Sequence, residues 1–366
     1  MVSFILIFST IFINRFMTFG TRAIEGIKNN KKKLLFIVLS LGVLTLLNCL
    51  RGAKVGNDTE SYNLIFNYFA KNNNDFAYAE VYLNSLEVGY VYLNRIFGYF
   101  STNYQLFISI IAIFLYLVLG KTIYKHSDNV AISVIIAFLL LFHIYINVLR
   151  EAIAISLIFI GYNLLTKNKK IWFYIFVFFA VLFHKSAFVA LVIPFFYKKK
   201  AISSAIWMVF LTLMTVLSFT RAFSFFLNII SYQTKYLSED SGLSIILGGV
   251  FVVIIILFLK LLKVNKSMLS ARDLKTYNLF CAIPLTQLAF QICAMDLQIM
   301  FRFGYYFMAF YILIIPFFIR HSSLSKSKKN TIIVLLVIVV ITYVVGQLLL
   351  RPEWYSEFNY YFYWRD

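Results

Sequence analysis

The amino-acid sequence predicts an all-α, polytopic integral membrane protein with about 12 membrane segments, some of them short, re-entrant-like hairpins. The 366-residue chain is 61% hydrophobic and only 13% charged, and its mean hydropathy is +0.83. Soluble domains are about half apolar and about a quarter charged. Many of the apolar runs approach the ~20 residues that a helix needs to cross a bilayer. The composition therefore indicates a single membrane domain over residues 1–366.

The apolar runs place the membrane segments along the chain. They are expected near 2–19, 33–50, 103–120, 130–147, 150–166, 171–184, 185–197, 201–219, 243–262, 276–295, 299–319 and 331–350. The run KNNKKK at 28–33 follows the first segment, and the positive-inside rule assigns it to the cytoplasm. Both termini of the chain then face outward.

The distribution of charge agrees with this topology. The loops assigned to the cytoplasm hold 22 of the 34 Lys and Arg residues but only 3 of the 15 acidic residues. The formal charge of +19 therefore follows from membrane topology, and no nucleic-acid partner is needed to explain it. The outer segments carry seven arginines and four lysines. Arginine suits phosphate and carboxylate, so these residues indicate either an outer oxyanion site or pairing with outer acids.

The run 171–197 is predicted to be a hairpin. As a single helix it would place the three lysines at 198–200 outside, against the positive-inside rule. Each half, at about 13 residues, reaches about 20 Å, which is short of the ~30 Å hydrocarbon core. His184, Lys185 and Ser186 would form the turn. Irregular backbone at that depth is tolerated only against protein or a water-filled cavity.

Two further hairpins, 130–166 and 276–319, have the same pattern. The tip of the first carries Asn147 and Arg150, and the tip of the second carries Arg302. Both arginines fall near a predicted helix start, where free backbone N–H groups favour anions. Each tip alone is typical of a polar turn, but three cationic tips on one side of the membrane favour a shared site.

The long segment 51–102 is predicted to be an outer loop between the second and third membrane segments. It begins RGAKVGNDTESYNLIF, with Asp58 in a turn-like context. Further along, the stretch NSLEVGYVYLNRIFGYF predicts a helix. The spacing of Glu87, Tyr90 and Asn94 would place these side chains on one face of it.

Three cysteines, Cys49, Cys281 and Cys293, lie in or beside apolar segments without CxxC spacing. They are expected to be buried small hydrophobic residues. The chain has no Walker A pattern and no GxGxxG. The sequence therefore predicts neither a metal site nor a cofactor.

Five short motifs carry a family resemblance. In order, GNDTESY, EVGYVYLN, NVLREAIA, LFHKSAF and FRFGYYF resemble the EpsG-like branch of Wzy-type polysaccharide polymerases, over roughly residues 50–310. The resemblance implies a multi-pass glycosyltransferase in the bacterial cytoplasmic (inner) membrane. It would join undecaprenyl-diphosphate-linked repeat units of O antigen, capsule or exopolysaccharide at the outer (periplasmic) face. One departure is Glu151, where the family often has Gln; it would lower the local positive potential or add a carboxylate.

The partners implied by this resemblance are the lipid-linked oligosaccharide, the lipid bilayer and a chain-length regulator, with no nucleic acid. The leaving diphosphate needs cations but no general acid, while the incoming sugar hydroxyl needs a base. Candidate residues for binding the diphosphate or the substrate are Arg51, Arg150, Lys185, Arg302, Tyr62 and Asn147. Candidate catalytic bases, which the sequence does not rank, are Asp58, Glu87 and His184.

The sequence leaves two other classes of function as alternatives. A flippase for the same lipid-linked sugars would show paired halves with broken helices at corresponding positions, and no such symmetry is visible. A ligase of the O-antigen type usually has its large loop late in the chain, whereas here the loop at 51–102 is early.

Cysteines introduced at positions 170 and 199 test the predicted hairpin. Because both ends of the 171–197 run are expected to face the cytoplasm, an impermeant thiol reagent added outside should modify neither cysteine. Permeabilised cells provide the control, since both positions should then be modified. Labelling of one position alone in intact cells would mean that the run crosses the membrane once.

Overall fold

The computed structural model of the protein describes residues 30–71, 86–220 and 242–365. Within these ranges the secondary structure is helical and contains no strand. The pairs Arg51–Phe362 and Val264–Ser322 form isolated β-bridges. The predicted all-α class is confirmed.

The chain divides into two compact units, residues 1–188 with 352–366 (unit 1) and residues 189–351 (unit 2). The helices of unit 1 are α1 (Asn30–Cys49), α2 (Thr59–Lys71), α3 (Val88–Gly98), α4 (Tyr104–His126), α5 (Val130–Asn147), α6 (Leu149–Leu165) and α7 (Lys170–Phe183). Those of unit 2 are α8 (Ile193–Phe196), α9 (Ser204–Phe219), α10 (Gly242–Leu261), α11 (Ala271–Cys293), α12 (Met300–Met308), α13 (Tyr311–His321) and α14 (Lys326–Leu350). Whether the units act as one membrane domain stays a prediction.

Fewer helices can span a membrane than the sequence predicts. In the described ranges, five helices are long and apolar enough, or six if α12 and α13, bent by 46°, form one span. The five are α1, α4, α5, α10 and α14. The predicted total of about 12 segments is not confirmed, because α6 has 17 residues and α7 has 14. Hydropathy does not separate such short or buried helices from spans. The predicted span at 2–19 lies outside the described residues.

All three predicted hairpin tips contain breaks in the helical structure; the break in the third lies between Cys293, where α11 ends, and Met300, where α12 begins. Helix α7 ends at Phe183, His184 is extended (φ −154°, ψ 116°), and a 3-10 helix begins at Lys185. Val148 (φ −117°, ψ 66°) separates α5 from α6. Because α6 and α7 pack together and are joined by the short turn 166–169, the start of α6 lies near the end of α7.

The described parts of the 51–102 loop, residues 51–71 and 86–102, pack around aromatic side chains. Helices α2 and α3 pack against each other, and the rings of Tyr62 and Tyr90 meet edge to face with centroids 5.5 Å apart. Phe66 on α2 stacks on Phe107 of α4, with centroids 4.7 Å apart. These rings anchor the loop helices to the membrane helices, which is a packing role.

The C-terminal segment 352–365 folds back within unit 1 as short 3-10 turns. Its backbone pairs with the end of α1, because the N–H of Gly52 donates to Tyr361 and the N–H of Tyr363 donates to Leu50. The segment therefore covers the junction between α1 and the 51–102 loop.

Gly89 permits the closest approach between α3 and α7. A Cβ atom at this position would lie 2.7 Å from the backbone oxygen of Leu182. Real Cβ atoms essentially never come so close, so any larger residue would push the two helices apart. The absence of a side chain at Gly89 thus sets the position of the start of α3.

The substitution Gly89→Ala should destabilise the protein by about 1–3 kcal/mol, because the added methyl group overpacks the contact with α7. Unfolding by heat or denaturant in detergent measures the change. Gly42→Ala in α1 is the matched control, since a Cβ atom there meets nothing within 4 Å. It should be neutral or stabilising by up to about 1 kcal/mol. Equal stability of the two variants would contradict the close-packing argument.

Candidate functional site

Glu87 lies at the junction of three structural elements. It occupies the N-cap position of α3, but its side chain does not cap that helix. The carboxylate, only 7% exposed, instead accepts a hydrogen bond from Nη1 of Arg150 at the start of α6. Its Oε1 atom lies 3.2 Å from Nδ1 of His184 and 3.2 Å from the backbone nitrogen of Lys185. The carboxylate thereby joins α3, α6 and the end of α7.

His184 lies between two carboxylates. Its Nδ1 faces Glu87, and its Nε2 lies 3.9 Å from Oε2 of Glu151. Glu151 is completely buried in the first turn of α6, where the helix dipole favours a negative charge. With Nδ1–H donating to Glu87, Nε2 is the ring nitrogen that can accept a proton. We call Glu87, Arg150, Glu151 and His184 the Glu87 cluster.

The surroundings of Glu87 keep it ionised. Burial by itself disfavours the carboxylate, but the His184 hydrogen bond and the Arg150 charge outweigh it and lower the pKa of Glu87 to about 2. A carboxylate with so low a pKa is a weak base at neutral pH. The geometry suits Glu87 to orienting His184.

Part of the Arg150 guanidinium group is accessible to an anion. Its Nη1 is bound to Glu87, and the group lies beside the hydroxyl of Tyr62. Its buried Nε atom has no hydrogen-bond partner among the described residues. The side chain is 23% exposed, so an anion can approach it. Burial raises the pKa of Tyr62, which keeps that phenol neutral.

Asn147 connects the GNDT turn to the C-terminal segment. Its side-chain oxygen accepts a hydrogen bond from the backbone nitrogen of Asn57 (2.7 Å), and its Nδ2 donates to Oε2 of Glu357 (2.9 Å). Gly56 in the same turn has φ +96°, and a Cβ atom there would lie 2.9 Å from the backbone oxygen of Ile146. Asp58 is partly exposed at the end of this turn. Asn147 therefore has a structural role in this arrangement.

Arg51 is completely buried, which differs from the predicted substrate contact. Its Nη1 donates to the side chain of Asn48 and to the carbonyl of Ile146. Its Nε and Nη2 have no hydrogen-bond partner among the described residues. Protein atoms cover the whole side chain, and a contact between Arg51 and a diphosphate stays a prediction.

Lys185 and Arg302 are the other two predicted cations. Lys185 contributes its backbone N–H to the cluster, while its side chain is exposed. Arg302 is the third residue of α12, near a helix start as predicted, and belongs to unit 2. Its convergence with Arg150 stays a prediction.

A second polar cluster was missed by the sequence analysis. It contains His143 of α5, which was not among the candidate site residues. Its Nδ1 lies 2.6 Å from Oε1 of the buried Glu357, and Tyr355 stacks on its ring with centroids 4.3 Å apart. Glu357 is 214 residues further along the chain. No local pattern around His143 could indicate that partner.

The fold and the site define the class of this protein. It is a multi-pass membrane protein with a buried, charged cluster formed by a loop helix and the tips of two helical hairpins. The chain belongs to the EpsG family, which matches residues 34–362. Family membership indicates a membrane polysaccharide polymerase. Comparison with curated proteins found no match, and comparison with solved structures found none either.

Glu87→Gln should remove an acid-sensitive contribution to stability. The pKa of Glu87 is lowered from its usual 4.5 to about 2, so the ionised group stabilises the fold above pH 4.5 and loses this effect as the pH falls toward 2. The parent should therefore lose roughly 3 kcal/mol relative to the Gln variant across that interval. Denaturant unfolding in detergent at several pH values measures the difference.

Glu60→Gln is the matched control, because Glu60 is exposed on α2. The free energy of unfolding of the Glu60→Gln variant should equal that of the parent at every pH. Parallel curves for the parent and Glu87→Gln would show that the Glu87 ion pair does not contribute to folding.

Proposed function

We propose that the protein polymerises undecaprenyl-diphosphate-linked oligosaccharide repeat units at the outer face of the bacterial cytoplasmic membrane, with His184 as the general base. The observation that carries this proposal is the hydrogen bond between Nδ1 of His184 and Glu87. It orients the imidazole so that Nε2 is the proton-accepting nitrogen. Membership of the EpsG family supports the class of reaction.

On the acceptor side, Nε2 of His184 takes the proton of a sugar hydroxyl. The hydroxyl oxygen then forms a bond to the anomeric carbon of the donor sugar, and the bond from that carbon to the lipid diphosphate breaks. The imidazolium that results lies between the carboxylates of Glu87 and Glu151. Both negative charges stabilise it, so Glu87 acts as a positioning residue.

On the donor side, the leaving diphosphate carries away the bonding electrons as negative charge. Arg150 supplies a partly exposed guanidinium at the first turn of α6, where free backbone N–H groups also favour an anion. Lys185 follows His184 directly and is exposed. These cations would stabilise the diphosphate as it leaves, which is the larger electrostatic requirement of the reaction. Arg302 is proposed to join them.

His184→Gln should lower polymer formation by roughly 10²–10⁴-fold while donor binding is retained, because the variant loses only the base. Arg150→Lys should also lose most of the activity, since lysine keeps the charge but lacks the planar guanidinium that can form two parallel hydrogen bonds to a phosphate. The measurement is lipid-linked polymer formed per folded protein in liposomes. His126→Gln is the matched control: His126 makes a 3.2 Å hydrogen bond to Asn163 and is outside the Glu87 cluster.

The same assay separates the competing assignments. If His184→Gln retains activity within tenfold and Asp58→Asn does not, the base is Asp58. If neither variant loses activity, the acceptor attacks without either residue as a base. Movement of the labelled lipid across the bilayer without new glycosidic bonds would identify a flippase, and transfer to a different acceptor without elongation would identify a ligase.

A further inference from the structure

Unit 2 contains a cavity of about 630 Å³ between α8, α9, α10, α11 and α13. Most of its lining is apolar, with Phe195, Trp207, Met208 and Leu285 among the side chains that face it. Its size is within the range of ligand-binding pockets in proteins. The Glu87 cluster belongs to unit 1, and none of its four residues lines this cavity.

Lysines surround one end of this cavity. Lys200, Lys260 and Lys266 contribute to its lining, and no lining residue that the structure describes is acidic. All three side chains are exposed at the surface of unit 2. Lys260 is in the last turn of α10 and Lys266 follows that helix, whereas Lys200 precedes α9, so the fold brings Lys200 together with the other two.

The lysine end of the cavity has a defined structure. Asn278 on α11 donates hydrogen bonds to the carbonyls of Lys198 and Lys199 at 2.8 and 2.9 Å, which holds the 198–200 turn in place. The Nζ atom of Lys266 lies 5.1 Å from the centre of the Tyr277 ring. Contacts with α11 thus position Lys266 and the turn that contains Lys200.

The apolar walls of the cavity continue onto the exposed surface. Phe195 and Met208 line the cavity and are 57% and 63% exposed. In a membrane protein, apolar side chains exposed beside a long apolar helix such as α10 face lipid. The cavity therefore combines an entrance from the hydrocarbon layer with a cationic end at loops that the positive-inside rule assigns to the cytoplasm.

We propose that this cavity binds an anionic phospholipid of the cytoplasmic leaflet. The phosphate group of the lipid contacts Lys200, Lys260 and Lys266, and an acyl chain lies against Trp207 and Met208. Basic pockets between membrane helices on the cytoplasmic side are a known form of lipid recognition. A zwitterionic lipid of the same chain length lacks the net charge that this end of the cavity complements.

Trp207 provides a reporter inside the cavity. The full chain has four tryptophans, and Trp172→Phe, Trp354→Phe and Trp364→Phe together leave Trp207 alone. Fluorescence is measured in phosphatidylcholine vesicles that contain small amounts of phosphatidylglycerol or phosphatidylcholine with brominated acyl chains, since bromine quenches tryptophan on contact. Brominated phosphatidylglycerol should reach half-quenching at a roughly tenfold lower mole fraction than brominated phosphatidylcholine.

Substitution of the lysines tests the source of this preference. In the Trp207 reporter chain, Lys200→Gln, Lys260→Gln and Lys266→Gln together should abolish the difference between the two lipids. The matched control carries Lys167→Gln and Lys169→Gln in the turn between α6 and α7 and Lys170→Gln at the start of α7, and it should retain the preference.

Three results would overturn the proposal. Equal half-quenching by the two brominated lipids in the reporter chain would do so even if the triple lysine variant failed to fold. Retention of the preference in a folded triple lysine variant would place the anionic lipid elsewhere. Abolition of the quenching by millimolar inorganic diphosphate would mean that the lysines bind free phosphate groups rather than a lipid headgroup.

Discussion

The ionised carboxylate of Glu87 holds the candidate site together. It is buried and receives hydrogen bonds from the guanidinium of Arg150, the ring of His184 and the backbone of Lys185. A buried charge is stable only when such partners surround it, and loss of one partner typically costs about 3–5 kcal/mol. These contacts stabilise the buried charge, and they also hold α3 against α6 and α7. The position of the histidine therefore depends on this ion pair.

A close helix contact and two helix breaks place these partners next to Glu87. Gly89 allows α3 to contact the backbone of α7, and the breaks at Val148 and His184 end α5 and α7 at the level of the cluster. If the helix continued without a break at either place, Arg150 and His184 would not both meet Glu87. The irregular backbone is thus part of the site, and the surrounding protein satisfies its polar groups.

Much of the site could be proposed from the sequence, but not its organisation. Glu87, Arg150 and His184 were all candidates, because charged residues in apolar runs are costly and mark functional positions. Their roles were open, since local sequence does not show which carboxylate faces which ring nitrogen. Glu151 was noted only as a departure from the family pattern. Arg51 was predicted to bind the diphosphate or substrate, and its side chain is buried where the end of α1 pairs with the C-terminal segment.

The sequence by itself determined the membrane class, the positions of the helices and the helix breaks at the three predicted tips, because hydropathy and the cost of a buried charge are local properties of the chain. Tertiary structure decided the rest. Glu87 meets Arg150 across 63 residues and His184 across 97, and His143 meets Glu357 across 214. Such pairs depend on how distant helices pack, so only the folded chain shows that Glu87 faces Nδ1 of His184 and that Nε2 of the same ring lies 3.9 Å from the carboxylate of Glu151.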